Sequence, residues 1–385
     1  HRGWACACDT LPGLYKSQGS PARMTSSRTV LTPEQLQKLR DDITQWSLEA
    51  GFQQCGFSSV DTGEHGDRLQ QWLDAGYHGE MSYMADHVTE RGPMRALPDE
   101  LLPGTLSVIS LRMDYLAPGV EVAKHLQDKN NAYISRYALG RDYHKLIRKR
   151  LTQLGKRIQS EIGDLGFRAF VDSAPILERA LAEQAGIGWI GKNTMVLNRK
   201  AGSYFFLGEI LTDLPLEPND TPLKNHCGRC TSCLDICPTQ AFVGPYVLDA
   251  RKCISYLTIE LDGPIPQELR SGIGNRIFGC DDCQIGCPWN RFSKSSEEPD
   301  FTPRHQLDKA TLLELFQWDE ATFLKKTEGM PIRRTGYENW MRNISVALGN
   351  APQSIEVQEA LKKQKGNISG LVDEHIDWAL RQQGQ

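Results

Sequence analysis

Eight cysteines in two groups constrain this chain more than any other feature of its sequence. The first group is Cys227, Cys230, Cys233 and Cys237, which Pro238 follows directly. Three closely spaced cysteines and a fourth before proline are typical of the bacterial run that binds iron-sulfur cubes, in which the fourth cysteine ligates the other cluster of a pair. That pattern requires a second group, and the chain has one downstream. Its members are Cys253, Cys280, Cys283 and Cys287, and Pro288 follows the last of them.

The ferredoxin pattern also predicts which cysteines share a cluster, because the fourth ligand is exchanged between the two groups. The chain is therefore expected to carry electrons through two [4Fe–4S] clusters. One cluster is expected on Cys227, Cys230, Cys233 and Cys287, and the other on Cys237, Cys253, Cys280 and Cys283.

Three other uses of these cysteines have to be weighed. Zinc tetrads usually come as two CxxC pairs separated by about a dozen or more residues, whereas here three cysteines share one short segment. Disulfides need an oxidising compartment, and the chain has no secretory pattern that would take it to one. The CxxxCxxC triad of radical S-adenosylmethionine enzymes does not occur. Iron-sulfur clusters remain the favoured interpretation.

Size and composition are those of an ordinary globular protein. The chain has 385 residues, 39% apolar and 24% charged, enough for two or three domains. It has no apolar run near the roughly 18 residues that a membrane helix needs. We expect a cytoplasmic protein without a membrane partner, and a monomer, because no self-complementary apolar surface is evident.

The first 23 residues differ from the rest. They contain Cys6 and Cys8 but no sustained periodicity. Thr32 and Pro33 then provide a helix start, with a capping threonine and proline at the first helical position. The expectation is that Met24 is the biological start and that residues 1–23 are a non-native or unstructured extension.

The remainder divides into three parts, an α+β multidomain organisation. Residues 24–215 alternate helical and strand patterns, with a helix over 32–50 and strands over 106–116, 167–171 and 203–212, which predicts an α/β domain. Residues 216–300 hold the cysteines in a ferredoxin-like module between two turn-rich linkers. Residues 301–385 are almost wholly helical and resemble a HEAT-like unit.

Two basic sets are candidates for binding nucleic acid. Between residues 135 and 157 eight basic residues face a single acid, while apolar residues mark one face of a helix, so Arg148, Lys149 and Arg150 fan out towards solvent. A solvated helix face explains the charge equally well. Arg333 and Arg334 form the second set. Two interpretations are open for this set, which also includes Tyr337, Trp340 and Arg342. The residues contact a polyanion, or they belong to an ordinary exposed helix face with a tryptophan in the core.

The α/β part contains one acid in apolar surroundings and one glycine motif. Gly186, Gly188 and Gly191 have the GxGxxG spacing, but no strand precedes them, so we interpret them as a loop near a flat ligand and not as a Rossmann phosphate site. Asp172 ends a strand among apolar residues. It is either a helix N-cap or a proton donor, and the second role requires desolvation to raise its pKa by about three units.

Six short motifs together resemble the epoxyqueuosine reductases, and the resemblance runs from about Thr32 to the C-terminus. The motifs occur in order around the eight cysteines. They are GEMSYM at 79–84, RYALGRDYH at 136–144, VDSAPILER at 171–179, GWIGKN at 188–193, CISYLTIE at 253–260 and GCDDCQ at 279–284.

This resemblance implies an enzyme that removes the epoxide oxygen of epoxyqueuosine at the wobble position of tRNA to give queuosine. It implies cobalamin held by a nitroreductase-like α/β domain, clusters that pass it electrons from an external low-potential donor, and Asp172 as the acid that protonates the departing oxygen. The residues implied to contact cobalamin are Arg95, Tyr137, Asp172, Ser173, Lys192, Asn193 and Ser255.

Two rival functions follow from the same clusters. A cobalamin-dependent reductive dehalogenase also feeds a corrinoid through two clusters, but it is normally exported with a twin-arginine signal, which is not seen here. A non-catalytic electron carrier has no use for an α/β domain of this size. Cobalamin binding separates the carrier from both enzymes, and tRNA binding separates the enzymes from each other.

Overall fold

The computed structural model describes residues 31–120, 123–172, 174–219 and 223–384. From Pro33 onwards the chain forms one compact unit. Its strands are β1 Gln54–Ser58, β2 Val88–Thr89, β3 Gly92–Pro93, β4 Ser107–Asp114, β5 Tyr133–Ile134, β6 Phe167–Phe170, β7 Trp189–Ile190, β8 Val196–Leu197, β9 Phe205–Thr212, β10 Phe242–Gly244, β11 Val247–Leu248 and β12 Arg276–Phe278. Its α-helices are α1 Pro33–Glu49, α2 His65–Asp74, α3 Pro98–Leu101, α4 Lys124–Gln127, α5 Tyr143–Ile162, α6 Glu178–Gln184, α7 Ser232–Asp235, α8 Ile254–Ile259, α9 Gln267–Ile273, α10 Asp282–Ile285, α11 Leu312–Phe316, α12 Glu320–Lys326, α13 Gly336–Asn350, α14 Ile355–Gln364 and α15 Gly370–Gln382.

A four-stranded antiparallel sheet in the order β1-β4-β9-β6 is the framework of the N-terminal half. The two central strands are buried along their whole length. Strands buried on both faces need cover on both sides. Helices α5 and α6 both pack against β9, and α6 also packs against β1 and β4.

Helix α5 begins where its sequence provides a cap. The Asp142 side chain accepts a hydrogen bond of 3.0 Å from the backbone N–H of His144, which satisfies one of the free N–H groups of the first turn. The helix buries Ile147, Leu151 and Ile158 on one face. Its exposed face carries the basic residues, as the spacing of the apolar residues predicts.

The C-terminal helices complete a core that extends across the predicted domain boundaries. Helix α13 is buried from Trp340 to Gly349 and packs against α15. The same apolar cluster includes residues of all three predicted segments, among them Ile134, Phe278 and Trp340. Strand β5 also pairs in parallel with β12, across the boundary predicted near 215.

The structure decides between the two interpretations of Trp340 and contradicts both for Arg342. Trp340 is 0% exposed and lies in the core, as one of them predicts, whereas Arg342 is also 0% exposed and lies neither on an exposed helix face nor against a polyanion. Arg342 instead donates hydrogen bonds to the carbonyl oxygens of Leu257, Leu261 and Gly263 at 2.6–2.8 Å. It ties α13 to the end of α8, because a guanidinium has enough donors to satisfy several carbonyls at once.

The expectations that Met24 is the biological start and that residues 1–23 are a non-native or unstructured extension lie outside the described residues. Within the described ranges, no helix combines the length and the apolar character that crossing a bilayer would require.

Candidate active site

A cavity of about 850 Å³ lies between the sheet, the cysteine-containing loops and the segment before α13. This volume is near the upper end of the range of about 300–1,000 Å³ for small-molecule sites. Asp172 and His144 line one side, and four cysteines line another. The walls between them are largely aromatic and include Tyr137, Tyr143 and Phe206.

Asp172 faces this cavity from the loop that follows β6. Its φ of 42° lies in the left-handed region, which costs energy for any residue with a side chain. Its carboxylate accepts hydrogen bonds from the hydroxyl of Tyr143 and from His144, whose Nε2 lies 3.2 Å from Asp172 Oδ2. Helix α6 begins six residues later with Leu177 at its N-cap. Asp172 is therefore not a helix cap.

The contact between Asp172 and His144 shifts the pKa values of the two groups in opposite directions. Burial would raise the pKa of Asp172, but the hydrogen bonds from His144 and Tyr143 outweigh it, and the pKa is lowered. Burial would lower the pKa of His144, but the carboxylates of Asp142 and Asp172 raise it to about 9. The hydrogen bonds from His144 and Tyr143 thus oppose the desolvation that a neutral Asp172 would require.

Two further carboxyl groups lie near Asp172. Glu178 lines the cavity, and burial together with the nearby Asp172 raises its pKa to about 7. Glu209 on β9 is 0% exposed, and neither of its carboxyl oxygens has a hydrogen-bond partner among the described residues. Burial raises the pKa of Glu209 well above its ordinary value. A buried carboxyl without a partner is stable only when protonated.

The cysteines separate into an inner and an outer group. The inner cysteine group lines the large cavity and consists of Cys237, Cys253, Cys280 and Cys283. The outer cysteine group lines a second cavity of about 240 Å³ and consists of Cys227, Cys230, Cys233 and Cys287. Each group combines three cysteines from one run of the sequence with one cysteine from the other run. This is the exchange of the fourth ligand that is expected of a two-cluster ferredoxin.

The side-chain spacing bears on the zinc alternative. In the described ranges, no three His, Cys, Asp or Glu side chains lie close enough to hold a single metal ion. A zinc site places four sulfurs around one ion at about 2.3 Å each, which is a tighter arrangement than a cube with iron at several corners.

Polar contacts attach the inner cysteine group to the N-terminal half of the chain. Asp281 accepts hydrogen bonds from the Tyr133 hydroxyl at 2.7 Å, from Ser135 Oγ at 2.6 Å and from the backbone N–H of Arg136 at 2.9 Å. Asn193 lines both cavities, and its Nδ2 donates to the carbonyl of Cys283 at 3.2 Å. Hydrogen bonds therefore hold the inner cysteine group against the N-terminal half of the chain.

Only some of the residues predicted to contact cobalamin line the large cavity. Tyr137, Asn193 and Ser255 line the large cavity. Lys192 instead lies at the outer cysteine group, where its Nζ donates to the carbonyls of Gly228 and Cys230 at 2.8 and 2.9 Å. Arg95 is buried and donates to the backbone of Ala174 and Tyr83, while Ser173 lies outside the described residues.

The basic residues predicted to bind nucleic acid differ in exposure and in position. Arg148 and Lys149 are exposed on α5, one turn beyond Lys145 at the cavity. Arg150 is half-buried and paired with Glu298. Arg333 and Arg334 both line the cavity, and Arg334 donates to Glu260 at 2.7 Å.

Sequence reasoning missed His144 and Glu178 as site residues, and it did not connect Tyr143 with Asp172. His144 and Tyr143 lie in the RYALGRDYH motif, directly after the N-cap Asp142. Their position in the first turn of a capped helix was a signal in the sequence that they could be site residues. Nothing local distinguishes Glu178 from the other acids of an amphipathic helix.

Family models match two parts of the chain. Residues 95–173 match the model described as epoxyqueuosine reductase QueG, DUF1730. Residues 226–290 match the 4Fe-4S double cluster binding domain. The prediction of iron-sulfur clusters in the cysteine segment is thereby confirmed.

Whole-length relatives carry the same description. The epoxyqueuosine reductase of Pseudomonas aeruginosa is 63% identical over 355 residues, which cover 92% of this chain and 97% of the relative. The reductase of Escherichia coli is 57% identical over 351 residues, 91% of each chain.

Solved structures agree with the sequence relatives. An epoxyqueuosine reductase crystallised with a tRNA-Tyr epoxyqueuosine-modified stem loop superposes with a TM-score of 0.82 at 29% identity, covering 91% of both chains. The Bacillus subtilis reductase, with its catalytic aspartate loop swung out of the active site, gives a TM-score of 0.81 at 29% identity and the same coverage.

Proposed function

The chain belongs to the epoxyqueuosine reductase family, and from that premise we propose that it removes the epoxide oxygen of epoxyqueuosine in tRNA with cobalamin and two [4Fe–4S] clusters. The single observation that carries the proposal is the cavity in which Asp172 and His144 face the inner cysteine group. An acid and a reducing centre on opposite sides of one substrate are what reductive epoxide opening requires.

The reaction has a simple balance. Two electrons and two protons enter, both carbon–oxygen bonds of the epoxide break, a carbon–carbon double bond forms and the oxygen leaves as water. Cobalamin bound in the large cavity would supply a strongly nucleophilic centre for the epoxide carbon, and the clusters would supply electrons to the cobalamin. The protein supplies the protons and the orientation of the substrate.

The residues of the cavity fit such a group. Tyr137, Asn193 and Ser255 line it and would hold the corrin and its side chains, while Phe206 and Tyr143 add flat apolar wall. Arg95 buttresses the Asp172 loop through the carbonyl of Ala174. Lys192 would act at the outer cysteine group and not at the corrin.

The acid in this account is the Asp172–His144 pair and not a neutral aspartic acid. The oxygen that departs from an epoxide is strongly basic and needs a proton. His144, with a pKa of about 9, holds that proton, and the Asp172 carboxylate, 3.2 Å away, takes it and passes it on to the oxygen. Tyr143 fixes the carboxylate between the imidazole and the cavity.

The tRNA is assigned to the basic residues near the mouth of the cavity. Helix α5 starts at the cavity with Tyr143 and His144, so Arg148 and Lys149 project next to the entrance. Arg333 and Arg334 line the cavity itself. Phosphates of an anticodon loop held there would let the wobble base enter while its neighbours stay outside.

The remaining assignments complete the proposal. The sheet domain is nitroreductase-like, the C-terminal helices are HEAT-like, and the domains meet near residues 215 and 300. The enzyme works as a cytoplasmic monomer that receives electrons from an external low-potential donor.

An anaerobic conversion assay tests the proposal. Protein with reconstituted clusters is mixed with epoxyqueuosine-containing stem loop and a low-potential chemical reductant, with and without cobalamin, and digested nucleosides are identified by mass. Loss of one oxygen atom only with cobalamin is expected. Equal conversion without cobalamin would remove that cofactor from the account, and no conversion in either arm would reject the function and favour a carrier or a dehalogenase.

A further inference from the structure

One face of the molecule surrounds the outer cysteine group. We define the outer-cluster face as the exposed surface of residues 223–237 and of the 243–247 hairpin, with Lys192 and Arg291 beside them. Cys230 is exposed, whereas the inner group lines the large cavity. Electrons that reach the cavity from outside therefore have their entry at the outer group.

Hydrogen bonds hold this face together. Lys192 Nζ donates to the carbonyl of Cys230, and the Lys192 carbonyl accepts from the backbone N–H of Tyr246 at 2.9 Å. Asn225 Nδ2 donates to the Tyr246 hydroxyl at 3.2 Å. The cysteine loop and the hairpin are thus neighbours on one surface.

Exposed apolar side chains are concentrated in the segments that form this face. In the part of the chain that the structure describes, eleven large apolar side chains are notably exposed, and five of them lie between residues 223 and 247. Exposed apolar side chains that gather in one region mark interaction sites more often than scattered ones do. The five are Leu223, Ile236, Val243, Tyr246 and Val247.

The charges on the same face are mostly positive. Residues 223–237 contribute the exposed Lys224 and Arg229 and one exposed acid, Asp235, which accepts a hydrogen bond from Thr231. The side chains that line the outer cavity add Lys192 and Arg291 and no carboxylate. Four cations against one acid make the surface complementary to a negatively charged partner.

We infer that the outer-cluster face is the docking site of a small acidic electron-carrier protein. The inference rests on the proposed function and names the class of its electron donor. Each encounter transfers one electron: the carrier is oxidised by one electron and the outer cluster is reduced by one, so two encounters supply one epoxide reduction. Electron-transfer encounters bury less than about 1,200 Å² and depend on charge for their rate, which suits a compact basic and apolar patch.

A tRNA is the other polyanion to consider for this face. Phosphate contacts use basic and polar side chains and gain nothing from exposed valines. The basic residues of α5 and Arg334 already lie towards the large cavity, where the modified base must enter. The apolar character of the outer-cluster face therefore favours a protein partner.

The test measures reduction of the outer cluster in the holoenzyme by stopped flow, with an acidic flavodoxin in its hydroquinone form as the probe. The Lys224→Glu/Arg229→Glu variant is expected to lower the second-order rate of cluster bleaching about tenfold or more at low salt, with the difference shrinking at high salt. The Val243→Ser/Val247→Ser variant is expected to lower it at every salt concentration.

Three controls give every outcome a meaning. Lys362→Glu/Lys363→Glu, the same charge change on exposed residues of α14, should reduce like the wild type. Bleaching by dithionite, which needs no docking site, should be equal in all variants. Conversion of epoxyqueuosine with dithionite tests the proposed function separately.

The inference is overturned if flavodoxin reduces both variants at the wild-type rate, or if wild-type protein is not reduced by the probe at all. Unchanged reduction together with weaker tRNA binding in the Lys224→Glu/Arg229→Glu variant would assign the face to tRNA instead.

Discussion

His144 Nε2 lies 3.2 Å from Asp172 Oδ2, and the Nδ1 of the same ring lies 2.7 Å from Asp142 Oδ1. The imidazole is therefore held between two carboxylates, and the carboxylate on the cavity side is the one assigned to relay its proton to the substrate. This arrangement stores a proton at neutral pH without the cost of keeping an aspartic acid neutral. The two groups titrate as a pair.

Replacing His144 with Gln should lower the single-turnover rate by about 10²–10⁴-fold, because the amide keeps a hydrogen bond but holds no transferable proton. The wild-type rate should be constant below a pH of about 9 and fall above it, since His144 has its raised pKa there and loses the proton. The variant should lack this alkaline decline. Rates between pH 6 and pH 10 check both statements.

Tyr143→Phe is the matched control. It removes the other hydrogen bond to Asp172 but leaves the titrating histidine in place. It should keep the alkaline decline whatever its absolute rate. An unaltered pH profile in His144→Gln would show that the histidine only positions Asp172.

Glu209→Gln should make stability less sensitive to pH. The ordinary pKa is 4.5 and burial raises it in the folded protein. Above pH 4.5 the unfolded state releases this proton while the folded state keeps it, so wild-type stability falls as pH rises towards the folded pKa. The melting temperature of the variant, relative to wild type, should therefore be higher at pH 8 than at pH 5.

The exposed Glu217 provides the control for that comparison. Glu217→Gln should shift the melting temperature equally little at both pH values. If Glu209→Gln behaves in the same way, the buried carboxyl has a partner that stabilises its charge.

Arg342→Ala should destabilise the fold by about 3 kcal/mol or more, because three backbone carbonyls lose their donor in a buried setting. Arg342→Lys should recover only part of the loss, since one ammonium cannot reach all three carbonyls in the geometry of a guanidinium. Urea unfolding of the two variants measures both effects. A variant as stable as wild type would mean that the carbonyls find other donors.

Arg148→Ala/Lys149→Ala should weaken tRNA binding and reduce the slope of log affinity against log salt by about one to two. Arg150→Ala should change that slope less, because Arg150 is already paired with Glu298. Stem-loop titrations at several salt concentrations distinguish the two. Equal slopes in all proteins would place the tRNA elsewhere.

Much of the fold could be predicted from local patterns. The helix expected over 32–50 spans Pro33–Glu49, and the strands expected over 106–116 and 203–212 span Ser107–Asp114 and Phe205–Thr212. Periodicity and caps act within one turn or one strand, so the sequence displays them directly. The family resemblance was confirmed by relatives that cover most of the chain.

The missed features depend on contacts between distant residues. His144 and Asp172 are 28 positions apart, and only the fold shows that the histidine holds the proton. Arg342 was read as a surface residue because arginine is seldom fully buried, whereas its carbonyl partners lie about 80 positions away. Lys192 was assigned to the corrin by its motif, and only the fold shows that its ammonium group bonds the carbonyls of the outer cysteine loop.

The most direct test of the account is the single-turnover conversion of epoxyqueuosine stem loop by Asp172→Asn, alongside wild type with equal cluster and cobalamin content. Asparagine fills the same space and keeps hydrogen bonds but carries no acidic proton. We predict tRNA and cobalamin affinities close to wild type and a rate of oxygen loss lower by about 10²-fold or more. Oxygen loss at the wild-type rate would contradict the assignment of Asp172 and His144 as the acid.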